Sequence, residues 1–175
     1  IQPTDTWDSW PVYQEWSEKI EELKIKASSL NKTFVCENEG GLDQSMENIE
    51  RIGKDHCGPG FGILYDMANV ANKFGKKGIL NDEWLSRIAK YIKFVHAKGC
   101  AQTFWSRHTT FINAPKDICN WPAVVKHFRN MKTTDFVGPA PNPLFLSVET
   151  HMSGKNAWNN SVQSLQNLIQ LLKNN

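Results

Sequence analysis

The side chains of this chain with the means to do chemistry are four cysteines, five histidines and one glycine-rich turn. Metal binding by such residues needs close spacing, because ligands two to four positions apart share one helix face or one turn. Here His56, His96, His108, His127 and His151 are dispersed, with no His-x-x-x-His pair and no Cys-x-x-Cys; His56 beside Cys57 comes nearest to a ligand pair. Nucleophilic catalysis would need a serine on a strained turn, and Gly-x-Ser-x-Gly is absent. Cys57 with a distant histidine is the remaining thiol candidate, and a disulfide would consume it. Cys57-Gly58-Pro59-Gly60-Phe61-Gly62 has the glycine content of a phosphate loop, but no Gly-Lys-Ser/Thr follows, so it reads as a tight turn. The expectation is therefore no catalytic residue, no metal, no cofactor and no enzyme.

The cysteines fit another chemistry. Cys36, Cys57, Cys100 and Cys119 are even in number and stand beside predicted helix ends, where disulfides staple helices in an oxidising compartment. The sequons Asn31-Lys32-Thr33 and Asn159-Asn160-Ser161 make Asn31 and Asn159 candidate glycosylation sites. The chain starts Ile1-Gln2-Pro3-Thr4, as a mature chain does after signal-peptide removal. Together these predict a secreted, extracellular glycoprotein.

The elements that would position the cysteines read as helices. Trp10, Tyr13, Trp16, Ile20, Leu23, Ala27 and Leu30 fall on one helical stripe. Leu42, Met46 and Ile49 mark a short helix. Phe61, Leu64, Tyr65, Ala68, Ala71 and Phe74 mark the next, after the glycine turn. Asn81 caps a helix carrying Trp84, Leu85, Ile88, Tyr91, Ile92 and Val95. Phe104, Trp105, His108, Phe111 and Ile112 have helical spacing within 101–113, Asn120 caps a helix through Met131, and the last helix runs from about Ser153 to Leu172. The predicted fold is all-α: a single domain over 1–175, a bundle of six or seven helices with two disulfides. Residues 1–8 would be a flexible N-terminus and 133–152 a long proline-rich loop.

Three pairings are open to four cysteines. If the helices after Cys57 and before Cys100 form an antiparallel hairpin, those two meet at its open end, leaving Cys36 for Cys119; this pairing is favoured. Sequential pairing, Cys36–Cys57 with Cys100–Cys119, matches a faint duplication of cysteine spacing. It is opposed by the ~20 Å rise of a helix over 101–113, against the ~17 Å reach of residues 114–118.

Composition narrows the partners. With 20 basic and 18 acidic residues and no basic block longer than the Lys73, Lys76, Lys77 group, nucleic-acid binding is not expected. No apolar run reaches the ~20 residues of a transmembrane helix. The aromatic groups Trp7, Trp10, Tyr13, Trp16 and Phe104, Trp105, Phe111 read first as core. Trp10, Trp16, Tyr65, Tyr91, Phe104 and Trp105 are candidates for contact with an apolar ligand or a protein partner.

Cys57, Tyr65 or Tyr91, and Cys100 make a cysteine–tyrosine–cysteine unit. In this the chain resembles the bicycle family of secreted effectors from gall-forming aphids, although no tyrosine lies between Cys100 and Cys119 or between Cys36 and Cys57. The resemblance implies an exported effector acting on host tissue, with no catalytic residues to carry over. The expected function is a secreted, non-enzymatic binding protein, with a carrier of a small hydrophobic ligand as the alternative and a hydrolase of unfamiliar type as the second.

Overall fold

A computed structural model describes residues 10–39, 46–74, 82–102, 107–141, 144–152 and 154–174. Its frame is a parallel sheet, not a bundle. The elements run α1 (Trp10–Ser29), β1 (Phe34–Glu37), α2 (Met46–His56), β2 (Phe61–Asp66), α3 (Met67–Phe74), α4 (Asp82–Ile88), β3 (Ile92–Ala97), β4 (Gly99–Gln102), β5 (Arg107–Thr110), α5 (Trp121–Asn130), β6 (Phe145–Val148) and α6 (Ala157–Asn174). Strands β1, β2, β3 and β6 pair in that order, all parallel, and β4 and β5 form a separate antiparallel ribbon. Helices bridge successive strands, the βαβ arrangement that parallel pairing requires.

The all-α expectation fails for a physical reason. Phe61-Gly62-Ile63-Leu64-Tyr65 and Ile92-Lys93-Phe94-Val95 are short apolar runs, and steps of three and four can be drawn through them as easily as steps of two. A strand of a parallel sheet reads as a continuous apolar run, which periodicity alone cannot separate from a buried helix. Length separates them: each run is six residues as a strand, β2 ending on Asp66 and β3 on Ala97 just after His96. The predicted helix over 61–74 is β2 followed directly by α3; that over 81–95 is α4, a 3-10 turn and β3. Residues 101–102 and 107–110 belong to β4 and β5, not to a helix. The proline-rich stretch carries a 3-10 turn at Thr133–Asp135 and then β6. Positions 1–8 lie outside the described residues.

The cross-links fall with the bundle. No disulfide joins Cys36, Cys57, Cys100 or Cys119. Cys36 sits within β1 and Cys100 within β4, so no helical hairpin brings Cys57 to Cys100. Cys57 Sγ instead faces the carbonyl of Tyr91 at 3.8 Å. Cys100 and Cys119 are buried, their backbone N–H groups donating to one oxygen, Asp117 Oδ1, at 2.9 and 3.0 Å.

The core lies between the sheet and its helices. Phe61, Ile63 and Tyr65 of β2 and Ile92 and Val95 of β3 are buried with Ile49, Ile52, Met67, Val70, Leu85, Ile88 and Trp121. The opposite face holds Leu64 and Phe94, both half-buried, and Phe145, 58% exposed and stacked on Phe94. The glycine turn does form, but leads into a strand: Gly60 takes φ +87°, and a Cβ there would lie 2.2 Å from the carbonyl oxygen of Lys24 on α1. Among the described residues no helix is long and apolar enough to cross a membrane.

Candidate metal centre at the carboxyl ends of the strands

Parallel strands deliver their last residues to one rim of the sheet, and in α/β folds that rim is where sites are built. Here β1 ends on Glu37, β2 on Asp66, β3 carries His96 one residue before its end, and Glu149 follows β6. Register sets Asp66 beside His96 and Glu37 beside Leu64, with Glu149 held next to β3 by its N–H bond to the Ala97 carbonyl. One donor atom from each of Glu37, Asp66, His96 and Glu149 lies within 4.8 Å of all the others.

Each side chain is braced. His96 Nδ1 stands 3.1 Å from Glu37 Oε1 and 3.4 Å from Glu149 Oε2. Asn69 Nδ2 donates to Glu37 Oε1 at 3.2 Å. Asn38 ties β1 to β2, donating to the Asp66 carbonyl at 2.8 Å and accepting from the Asp66 N–H at 2.6 Å. Asp66 divides its carboxylate between two tasks. Its Oδ1 accepts from the N–H groups of Ala68 and Asn69 at 2.7 and 3.2 Å, capping α3. Its Oδ2 faces the cluster with no aligned hydrogen bond, although Lys98 Nζ stands 2.7 Å away as an ion-pair partner.

Lys98 enters from just beyond β3. Its side chain is 5% exposed, and Nζ also donates to Glu149 Oε2 at 2.9 Å. Asp66 and Glu149 thus share one ammonium group. Asp66 has no exposed side-chain surface, and burial lifts its carboxyl above the ordinary aspartate value despite Lys98 and the α3 amides. For Lys98 burial pulls the other way, but Asp66 and Glu149 together overcome it and hold the ammonium form above the ordinary lysine value. Burial drives the shift of Asp66, and the paired carboxylates drive that of Lys98. Burial also pushes Glu149 up, but Lys98, His151 and His96 outweigh it and keep its carboxyl below the usual value.

The donor set fits a hard divalent cation. Carboxylates with one imidazole are the ligands of Mg²⁺ and Mn²⁺. Around such an ion, at about 2.1 Å, opposite octahedral donors lie about 4.2 Å apart, so the observed spread needs only a small contraction. Oδ2 of Asp66, buried and facing the cluster beside the Lys98 ammonium group, is an atom such an ion would take. Beside the cluster a cleft of about 60 Å³ opens, lined by Ala68, Asn69, Lys98, Cys100, Thr109 and His151.

Of the residues singled out in sequence, His96 joins the cluster and Cys100 and His151 line the adjoining cleft. His56 belongs to the α1–α2 contact: Nδ1 meets Glu21 Oε1 at 2.9 Å and Nε2 meets Ser17 Oγ at 3.2 Å and Tyr13 Oη at 3.4 Å. Tyr65 and Tyr91 are buried core, and Trp16 stacks on Tyr13. Asn31, in a left-handed turn at φ 52°, and Asn159 on α6 are exposed. Phe104 and Trp105 lie outside the described residues, as does the side chain of Trp10. The metal-site candidates were hidden because their signal is a period, not a motif. Glu37, Asp66 and His96 each close an apolar run and recur at intervals of 29 and 30 residues, the length of one βα unit.

No protein-family model matches the chain, and no curated protein matches it. Solved structures do. A xylose isomerase domain protein from Planctomyces limnophilus aligns at TM-score 0.63 and 17% identity over 95% of this chain and 54% of its own. A xylose isomerase-like TIM barrel protein from Mycobacterium smegmatis, in complex with magnesium, aligns at 0.64 and 16% over 93% and 52%. The probable 3-DHS dehydratase AsbF of petrobactin synthesis from Bacillus anthracis aligns at 0.62 and 12% over 94% and 60%. These neighbours are α/β barrels, which removes the resemblance to the bicycle effectors. The secreted non-enzymatic binder and the hydrophobic carrier also fall, since both were argued from a cross-linked helical bundle that does not exist. The chain spans about half the length of these solved structures, and its fold is that of half a xylose isomerase-like TIM barrel.

Proposed function

We propose that this chain provides the metal-binding wall of an enzyme of the isomerase or lyase type, one that moves a proton at a carbon next to a carbonyl in a small polyhydroxylated substrate. The observation that carries this is the convergence of Glu37, Asp66, His96 and Glu149 at the strand ends, one donor atom from each within 4.8 Å of the others. Support comes from the neighbours' described activities, an isomerase-like domain and a dehydratase, and from the magnesium held by one of them.

Glu37, Asp66, His96 and Glu149 would hold the ion, with Asn38 and Asn69 fixing their orientation. A bound Mg²⁺ or Mn²⁺ would supply Lewis-acid polarisation of the substrate's carbonyl and hydroxyl oxygens. Glu149 is the most exposed of the three carboxylates, at 32%, and is held ionised. Its Oε1, which faces His151 at 3.2 Å, would serve as the base while Oε2 faces the ion: it would take the proton from the carbon beside the carbonyl, and the C–H electron pair would move toward the carbonyl oxygen. Returning the proton to the former carbonyl carbon, with a proton passed from the adjacent hydroxyl to the carbonyl oxygen, completes an isomerisation; expelling the hydroxyl of the β-carbon, which takes up the abstracted proton and leaves as water, completes a dehydration. Asn69, Thr109 and His151 line the cleft with polar groups suited to substrate hydroxyls.

The test is solvent exchange. Incubated in D₂O with Mg²⁺ or Mn²⁺ and a panel of aldoses, ketoses and hydroxy-keto acids, the protein should catalyse deuterium entry beside the carbonyl, read by NMR and abolished by chelation. Metal binding without exchange on any member of the panel would remove the proton-transfer reading.

A further inference from the structure

Lys98 is the anomaly of the site. A cluster of carboxylates and imidazole shaped for a cation already contains one, tethered to the chain. The ammonium group is buried, lies 2.7 Å from Asp66 Oδ2 and 2.9 Å from Glu149 Oε2, and so engages two of the four candidate ligands with the atoms they would offer an ion. A divalent ion at bonding distance from those same oxygens, about 2.1 Å, leaves no room for a second cation in direct contact with both. Two positive charges that close, in a buried setting, also repel strongly. Either the ion or the ammonium can sit between Asp66 and Glu149, not both.

The structure also offers the displaced group somewhere to go. Lys98 borders the cleft that opens beside the cluster, with Asn69, Thr109 and His151 on its walls. A lysine stem has four rotatable carbons, so a rotamer change moves Nζ by several ångströms without backbone motion. Leaving gives up its contacts with Asp66 Oδ2 and Glu149 Oε2, which the incoming ion replaces.

We propose that Lys98 is an intramolecular place-holder for the metal: its ammonium group occupies the cation position between Asp66 and Glu149 in the metal-free protein, competes with the incoming divalent ion, and swings into the adjoining cleft when the ion binds. This rests on the metal-site reading above and adds a residue that sets affinity and reports occupancy. In population terms the metal-ready state is the one with Lys98 turned out, and the apparent affinity is the intrinsic one reduced by the fraction of molecules in it. Where that fraction is about one tenth, removing the competitor raises affinity about tenfold. In the loaded state the ammonium becomes a positive group on the cleft wall, in reach of a substrate oxygen.

The experiment compares Mn²⁺ binding by calorimetry in the wild-type chain, Lys98→Met and Lys98→Arg, without substrate. Lys98→Met should bind Mn²⁺ roughly tenfold more tightly than wild type, and Lys98→Arg, which keeps a cation, should not. A second readout needs no variant: the rate of Lys98 acetylation by acetic anhydride, followed by mass spectrometry, should rise several-fold when Mg²⁺ is added and not with the same ionic strength of NaCl. Equal or weaker binding by Lys98→Met, with wild type binding normally, overturns the place-holder and leaves the metal site standing. So does Lys98 labelling that Mg²⁺ leaves unchanged or slows. Absence of binding in both wild type and Lys98→Met overturns the metal site itself. Binding by Lys98→Met alone supports the place-holder in its strongest form.

Discussion

Two acids in this chain sit in close ion pairs and respond in opposite directions. Glu50, on α2, is clamped by Arg87 of α4 and by Lys54 at 2.9 Å, and Arg87 itself lies 4.0 Å over the Trp84 ring. Its carboxyl is held below the ordinary value, chiefly by the Arg87 hydrogen bond, against the cost of burial. Asp66, with Lys98 at comparable range, goes the other way because burial dominates. The difference is stoichiometry and solvent. Glu50 has two cations at a helix–helix seam, Lys54 and an Arg87 that also lies 3.9 Å from Glu83, and Arg87 still reaches water. Asp66 shares one buried cation with Glu149 and has no exposed side-chain surface. A balanced pair is a joint between helices; an unbalanced cluster of ligand-type side chains is a place for something absent from the chain's own complement.

The sharpest way to break this contrast is at Asp66. Asp66→Asn keeps the oxygen that caps α3 and loses the ligand charge, whereas Asp66→Ala loses both. Mn²⁺ affinity should fall by about 100-fold or more in either. Chemical denaturation of the metal-free proteins should place Asp66→Ala about 1–2 kcal/mol below Asp66→Asn, the worth of the cap and its two amides. Equal stabilities would show that Oδ1 carries no structural load.

A smaller effect concerns heat. A ligand held at 100 times its Kd stabilises by about 2.7 kcal/mol, which for a chain of this size is a rise in Tm of about 5–10 °C. Mg²⁺ or Mn²⁺ should produce that shift in wild type and in Glu50→Gln alike. A shift that Glu50→Gln abolishes would place the ion at the wrong cluster.

Acid separates the two groups more gently. Glu50 has a depressed folded value, so its contribution is present above the ordinary glutamate pKa of 4.5 and is lost as pH falls through the lower folded value. The stability advantage of wild type over Glu50→Gln, about 1 kcal/mol at neutral pH, should therefore shrink below about pH 4.5. Asp66 has a raised value, so its ionised form is a cost present above the folded pKa and relieved as pH falls through it toward the ordinary 3.8. Wild type should gain on Asp66→Asn over that window. Parallel pH profiles for the two variants would contradict the opposite shifts. Smallest of all is the effect of reductant: with no disulfide among the four cysteines, dithiothreitol should move Tm by less than about 1 °C.

How far the sequence could be read follows from what each element does with its side chains. Helices α1, α5 and α6 form where the period of 3.6 predicts them, and Asn120 accepts the Ala123 N–H as a helix cap should, but Leu23 of the α1 stripe is exposed and α6 buries Leu168 and Leu171 while Trp158, Leu165 and Ile169 face out. Strands β2 and β3 bury one face under helices while the other is only half covered. Their runs therefore lack the alternation that marks a strand and pass for helix. Cys36 and Cys100 drew the disulfide reading because a cysteine in a strand looks like any cysteine in a loop until the strand is recognised. The site was present as the 29- and 30-residue recurrence of Glu37, Asp66 and His96. Glu149 breaks that rhythm, because β4, β5 and α5 intervene before β6. Lys98 carried no signal at all: only the folded rim shows that its ammonium group falls among the carboxylates.

The central claim is that the strand ends bind a divalent cation through this chain's own side chains. Calorimetric titration of MnCl₂ into wild type, Glu50→Gln and Glu149→Gln tests it most directly. The account requires one ion per chain in the first two and binding weakened by about 100-fold or more in the third. Heats that are absent in wild type, or that survive unchanged in Glu149→Gln, would contradict it.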